Sequence, residues 1–297
     1  MGYLKKLKYV VFNALAFVPD TLMLKFQFGV KLHRKLNLKD PKRFSDKLQW
    51  YKIYCHDPKM LQCTDKYIVR SFVEERGCGQ YLNMLFQVCD SADKIDFDSL
   101  PDRFVIKTTD GGNGDNIVIC SDKSKLNLPT TVRRVNSWRN KHYERLSREW
   151  AYNGAKQSKV IVEKYIEDPQ SADGSIDDYK FLCYDGKFRF LWMDKNRYSN
   201  HCRGFWNEKL EFLKGVSSDH PTFDEPPVLP SNIEEMIAVA EKLSAGFPFA
   251  RVDLYNIGGQ IIFGEITFYP WSGYVRFTPD SFDFELGKYF KLPEIQK

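Results

Sequence analysis

Apolar and polar residues alternate along two neighbouring stretches near the carboxyl end, Ala250 to Tyr255 and Gln260 to Thr267. A period of two marks a strand half-buried against a core. The Asn256-Ile257-Gly258-Gly259 cluster between them is turn chemistry, so the pair predicts an antiparallel hairpin. A second alternation over 177–194 turns at Asp185-Gly186 and predicts another hairpin, with Tyr179, Phe181 and Cys183 on one face and Asp178, Lys180 and Leu182 on the other. Short apolar runs at Phe104–Ile106 and within 159–162 predict buried strands, and 81–88 reads as one more. Helical spacing of apolar residues predicts helices over 43–55, capped by Ser45 or Asp46, over 129–151, and from a cap at Ser231 through Leu243. A further helix is expected from Thr64-Asp65 to Gly77. Residues 195–210 are polar and aromatic, and the Pro-rich 219–230 is a linker.

At 297 residues with 43% hydrophobic composition, the chain can bury a sizeable core as one large domain or two smaller ones. Its net charge of +5 is uneven, because residues 1–52 hold twelve Lys or Arg against three acids. That asymmetry suggests an anionic neighbour such as a membrane surface or an acidic polymer, and no nucleic acid is expected. The first twenty residues imitate a signal peptide, but cleavage after Ala16 would leave an apolar core of only about five residues, below the ~7 to 15 required. No stretch reaches the ~18 to 20 apolar residues that span a bilayer. The segment reads either as a basic amphipathic helix lying on a membrane or as a helix packed on its own domain. Seven cysteines, an odd number without a CxxC pair, argue for reduced thiols and a cytoplasmic location, and the basic amino-terminal arm allows a peripheral place at the inner face of the membrane.

Asp253 and Glu265 lie inside otherwise apolar strand runs, where acids are rare unless paired or bound to a metal. They can share one face only if an odd number of residues separates the strands. A three- or five-residue loop would put Arg251, Asp253 and Glu265 on one side, a placement suited to Mg²⁺, which takes one or two protein carboxylates plus substrate phosphates. A half-exposed strand pair with solvated acids is the competing reading. Lys107 ends an apolar strand and leads into a loop with Thr108, Thr109, Gly111, Gly112, Asn113 and Gly114, whose amides can approach a phosphate closely. Neither GxxxxGK[ST] nor GxGxxG is present, and a plain glycine-rich turn is the alternative. Glu163 breaks a buried strand before Asp168-Pro169, and such a strand-to-turn segment can offer backbone groups to a flat heterocycle. Lys180 is either a phosphate contact or a snorkelling surface residue. Arg197, His201 and Arg203 could meet an acidic substrate. Arg197 and Arg276 are taken as the substrate-binding candidates, and no base is assigned to His201.

Four elements in this order, ValIleLys with its glycine loop, ValGluLysTyrIle, ArgValAspLeuTyr and GlyGluIleThr, resemble the ATP-grasp superfamily, with D-alanine:D-alanine ligases the comparison drawn. The resemblance implies that Lys107 binds ATP phosphates. It implies that Glu163, Lys164, Tyr165 and Ile166 form the adenine hinge, that Arg251 contacts the transition-state oxyanion, and that Asp253 and Glu265 hold Mg²⁺. Thr267 stands where the superfamily has Asn, which puts a second Mg²⁺ in question, and Gln170 falls where those ligases carry the ribose-binding Glu. The stretches ArgPheSerAspLysLeuGlnTrpTyrLysIleTyr, ThrAspLysTyrIleValArg, ThrThrAspGlyGlyAsnGlyAspAsn, AspTyrLysPhe and GluIleThrPheTyrPro resemble the TupA-like ATP-grasp family over roughly 40–290.

That resemblance implies an α+β ATP-grasp fold: two α/β subdomains of antiparallel sheets with nucleotide between them, behind a helical amino-terminal arm. The expected divisions are an arm at 1–60, a small α/β lead-in at 61–100, a lid at 101–167 and a metal-bearing subdomain at 168–297. The implied activity is an ATP- and Mg²⁺-dependent ligase of bacterial surface polysaccharide synthesis, joining a sugar carboxylate to an amine through an acyl phosphate. A glycosyltransferase or a sugar kinase of the same pathway is the alternative.

Overall fold

A computed structural model describes residues 15, 17–110, 116–139, 147–154 and 158–295. Two antiparallel sheets organise it. The first has the order β1 (Leu85–Cys89), β4 (Val160–Lys164), β2 (Phe104–Thr108), β3 (Ile117–Cys120). The second has the order β7 (Cys202–Asn207), β6 (Lys187–Lys195), β5 (Asp178–Tyr184), β8 (Phe249–Ile257), β9 (Gln260–Thr267). The described helices are α1 (Asp20–Leu32), α2 (Phe44–Tyr54), α3 (Pro58–Thr64), α4 (Val69–Glu75), α5 (Leu128–Asn136), α6 (Ile233–Ser244) and α7 (Ser281–Tyr289).

The buried side chains group into separate cores. Phe44, Leu48 and Tyr51 of α2, Met60 and Cys63 of α3, and Phe72 and Val73 of α4 join the core of the five-stranded sheet together with α6 and α7. The four-stranded sheet has its own core, in which Phe104, Ile106, Val160 and Val162 meet Val135 of α5. Among the described helices, α1 has a separate cluster, packing Leu24, Phe28 and Leu32 on Leu36, Ile53 and Tyr274. The helix expected over 129–151 is shorter than its apolar spacing suggested. α5 ends at Asn136, residues 140–146 lie outside the described set, and Trp150 stacks on His56 at 4.7 Å beside the other core. The stretch therefore serves two cores.

Other differences have local causes. Asp57 caps α3 through Lys59 N, with Pro58 in its first turn, and Asp65 then receives the amides of Tyr67 and Ile68. One expected helix is thus preceded by a second. Asn232 rather than Ser231 precedes α6, and its side chain donates to Gly259 O at 2.9 Å. Residues 202–207 form a full strand, because their charge is paired inside the sheet.

Asp46, in the first turn of α2, is 6% exposed, and its Oδ1 has no partner among the described residues. Burial, against the opposing pull of Arg34, pushes its carboxyl up to about 6. Between the ordinary value of 3.8 and about 6 the folded chain therefore holds a proton the unfolded chain has lost, and stability falls as pH rises through that window. Asp46→Asn is expected to raise stability near neutral pH by about 1–3 kcal/mol and to flatten the slope below pH ~6. Calorimetric melting across pH checks this.

Candidate active site

The hairpin of β8 and β9 presents its two acids on one face by an unexpected route. Its turn is Gly258-Gly259, with φ of 57° and 92°, between the paired Ile257 and Gln260. That is an even loop, not the three or five residues expected, and alone it would turn Glu265 away from Asp253. The missing odd residue is a bulge: Leu254 pairs with Phe263 but Asp253 pairs with Glu265, leaving Gly264 extra. A Cβ at Gly264 would lie 2.9 Å from the Asp253 carbonyl oxygen and 3.3 Å from the Tyr255 ring, so only glycine fits this close approach.

Register gathers the rest of the cluster. Arg251 is opposite Thr267, Lys180 is opposite both Asp253 and Trp192, and Asp178 is opposite Asp194. The Arg251 guanidinium donates to both oxygens of Asp253 at 2.7 Å and to Glu265 Oε1 at 2.8 Å. Thr267 Oγ1 donates to Glu265 Oε1 at 3.1 Å, and Lys180 Nζ reaches Asp253 Oδ2 at 2.6 Å and also bonds Asp178. Asp253 is 2% exposed, whereas 46% of the Glu265 side chain is open. Burial raises the Asp253 carboxyl, with Arg251 and Lys180 opposing the rise. Burial also acts to raise Glu265, but Arg251, Lys66 and Lys180 outweigh it and pull the carboxyl down to about 2.

These residues fit Mg²⁺. The donors are hard oxygens, two carboxylates face each other across a strand pair, and the buried Asp178 Oδ1 beside them has no partner among the described residues. No group of three or more His, Cys, Asp or Glu is assembled for a metal among the described residues. A carboxylate pair is what an ion that completes its shell with water and phosphate requires.

Across from this face, Lys107 Nζ meets Glu163 Oε2 at 2.8 Å, and Arg70 lies 3.5 Å from Glu163 Oε1. Glu163 pairs directly with Val105, and Lys107 lies two residues along the same strand, so the two predicted residues share a face and meet diagonally. Thr109 is buried and fully engaged: its amide donates to Lys159 O at 3.0 Å, its Oγ1 accepts from Lys159 N at 3.1 Å, and its carbonyl accepts from Lys66 N at 3.1 Å. Gly111, Gly112, Asn113 and Gly114 lie outside the described residues. In the hinge, the Lys164 amide donates to Met84 O and its carbonyl accepts from Asn83, both at 2.9 Å, so this peptide is occupied within the protein. Tyr165 lies under Arg103 at 4.5 Å, and Ile166 is half-buried.

Lys66 was not singled out from sequence, yet it links the two halves. Burial lowers its ammonium, with Glu265 raising it and Lys107 lowering it, so it feels charge from both sheets. A second missed feature is a tryptophan pair behind the cluster, with Trp192 buried. Trp192 stacks on Trp271 at 3.7 Å and 7°, and the Arg251 and Arg203 guanidiniums lie 4.8 and 4.7 Å from its ring centre. Trp271 and Ser272 are left-handed, at φ 51° and 56°, a strained state for side-chain-bearing residues. The buried Lys52 holds the turn through Ser272 O and Oγ, both at 2.8 Å, and burial pushes its ammonium down to about 8.

The substrate candidates are split. Arg197 borders the cluster, 3.1 Å from Asp178, and His201 and Arg203 share Asp194 at 2.9 and 2.6 Å. Arg276 is exposed and donates to Lys31 O at the end of α1, so it is engaged with that helix rather than with the acids.

A sequence model of the family described as TupA-like ATPgrasp matches residues 46–291. The chain belongs to the TupA-like ATP-grasp family. Its two antiparallel sheets, with Lys107 on one and Asp253 and Glu265 on the other, are the ATP-grasp fold in this family member. Among solved structures it is similar to a D-alanine–D-alanine ligase from Bacillus anthracis, with 19% identity over 69% of this chain and 57% of that one, TM-score 0.43. The same organism's ligase complexed with ATP matches at 17% identity over 69% and 53%, TM-score 0.41. An L-amino acid ligase from Bacillus licheniformis matches at 18% over 71% and 44%, TM-score 0.41. The TupA-like chain thus spans only about half the length of these proteins. No curated protein matches it.

Proposed function

We propose that this TupA-like protein is an ATP-dependent carboxylate–amine ligase, forming an amide on a uronic acid of a bacterial surface polysaccharide. The observation that carries the reading is the Arg251, Asp253, Glu265 and Lys180 cluster on one sheet face, tied electrostatically through Lys66 to Lys107 on the other. Asp253 and Glu265 would hold Mg²⁺ with the Thr267 hydroxyl alongside, and the ion when bound neutralises charge on the phosphates. Lys107, Lys66 and Lys180 bind phosphate oxygens, and the hinge through Tyr165 and Ile166 receives the adenine. The sugar carboxylate oxygen attacks the γ-phosphorus and ADP leaves. The amine nitrogen then attacks the acyl carbon, phosphate departs, and the nitrogen loses its proton. Arg251 stabilises the oxyanion of that second step, a role worth about 2.7–4 kcal/mol for comparable donors. The buried Trp192, stacked on Trp271, backs the Arg251 and Arg203 guanidiniums and fixes their position. Seven free thiols suit a cytoplasmic enzyme.

An ADP-release screen pairing uronates with amines and amino acids tests the reading. ADP is expected only when carboxylate and amine are both present. ADP with a stable phosphorylated sugar and no amine requirement would make it a kinase, and product from a UDP-sugar without ATP would make it a glycosyltransferase.

A further inference from the structure

Helix α1 is apolar on two sides. Met23, Leu24 and Phe28 are buried against the protein, while Leu22, Phe26 and Val30 are 57%, 66% and 57% exposed. A spacing of four places these three on one stripe of the helix. Among the described residues, this face of the helix has no partner. It is held rigidly in place: the Tyr274 hydroxyl donates to Gln27 at 2.8 Å, Arg276 to Lys31 O at 2.7 Å, and Arg148 to Leu15 O at 2.9 Å. Tyr274 and Arg276 directly follow the Trp271–Gly273 turn, so the stripe is fixed to the chain leaving the active-site strand.

Charge around the stripe has one sign. Lys25, Lys35 and Lys39 are exposed beside it and beyond its end. The three acids of residues 1–52 offer little opposition, since Asp20 pairs with Arg148, Asp40 pairs with Lys42, and Asp46 is buried. We propose that α1 docks on the surface of an anionic lipid bilayer, with Leu22, Phe26 and Val30 entering the headgroup–acyl boundary and Lys25, Lys35 and Lys39 over the headgroups. No helix among the described residues is long and apolar enough to cross a membrane, so this contact lies on the surface. A second copy of the chain fits less well. Three side chains fall short of the roughly 1,000 Å² a stable protein interface needs, and two identical basic faces repel.

Vesicle flotation of the full chain tests this independently of catalysis. The chain is expected to float with phosphatidylglycerol-containing vesicles and not with pure phosphatidylcholine. The triple variant Leu22→Ser, Phe26→Ser, Val30→Ser should lower partitioning at least about tenfold, and Lys25→Glu with Lys35→Glu by about tenfold or more. Unchanged melting temperatures would show that both variants fold. Absence of flotation with anionic vesicles overturns the proposal, as does undiminished flotation of the triple variant. A lipid-free dimer in light scattering that the triple variant dissociates would assign the stripe to a second copy instead.

Discussion

Asp253→Asn and Glu265→Gln, made separately, are each expected to leave the chain folded and to lower ATP turnover by about 10²–10³-fold. The two differ in their side effects. Asp253 is buried between Arg251 and Lys180, and loss of its charge leaves two cations undercompensated, though Arg251 keeps Glu265 and Lys180 keeps Asp178. A stability loss of about 1–3 kcal/mol should accompany Asp253→Asn. Glu265 has 46% of its side chain open, so Glu265→Gln should be nearly neutral for stability and is the cleaner probe of chemistry. Steady-state ADP release beside calorimetric melting separates the effects. Full turnover in both variants would remove the pair from the site.

Gly264→Ala is expected to act at the same place without touching a charge. The added Cβ would meet a backbone carbonyl at 2.9 Å, which cannot swing aside, so the strand must shift and take Glu265 off Asp253. Turnover should fall at least about tenfold, with more Mg²⁺ needed for half-maximal rate. Gly258→Ala is the control. Its Cβ meets nothing within 4 Å, but at φ 57° it should cost about 1 kcal/mol of stability and leave turnover unchanged. Equal turnover in the two variants would show that the bulge does not set the site.

Much of this was legible from spacing alone. The hairpins announced themselves through their period of two, and acids inside apolar runs pointed to Asp253 and Glu265. Lys107 and Glu163 were likewise out of place on their strands, and the structure pairs them. What stayed hidden depends on contacts between segments distant in sequence. A glycine three residues before a strand's end does not reveal whether it bends a bulge, so the face-sharing of the acids was assigned to the loop. Lys66 sits in a short turn like many solvated lysines, and only folding places it between Glu265 and Lys107. β7 was obscured because Arg203 interrupts its alternation, yet Asp194 neutralises that charge inside the sheet. The Trp192–Trp271 stack joins residues from two elements through a strained turn clamped by Lys52, and no local pattern encodes it.

The account depends most on a divalent ion held between Asp253 and Glu265 in the presence of nucleotide. Electron paramagnetic resonance of Mn²⁺, titrated into the protein with a non-hydrolysable ATP analogue, measures that directly. One or two ions should be immobilised by the wild-type chain and none by the Asp253→Asn, Glu265→Gln double variant. Equal Mn²⁺ immobilisation by both proteins would contradict it.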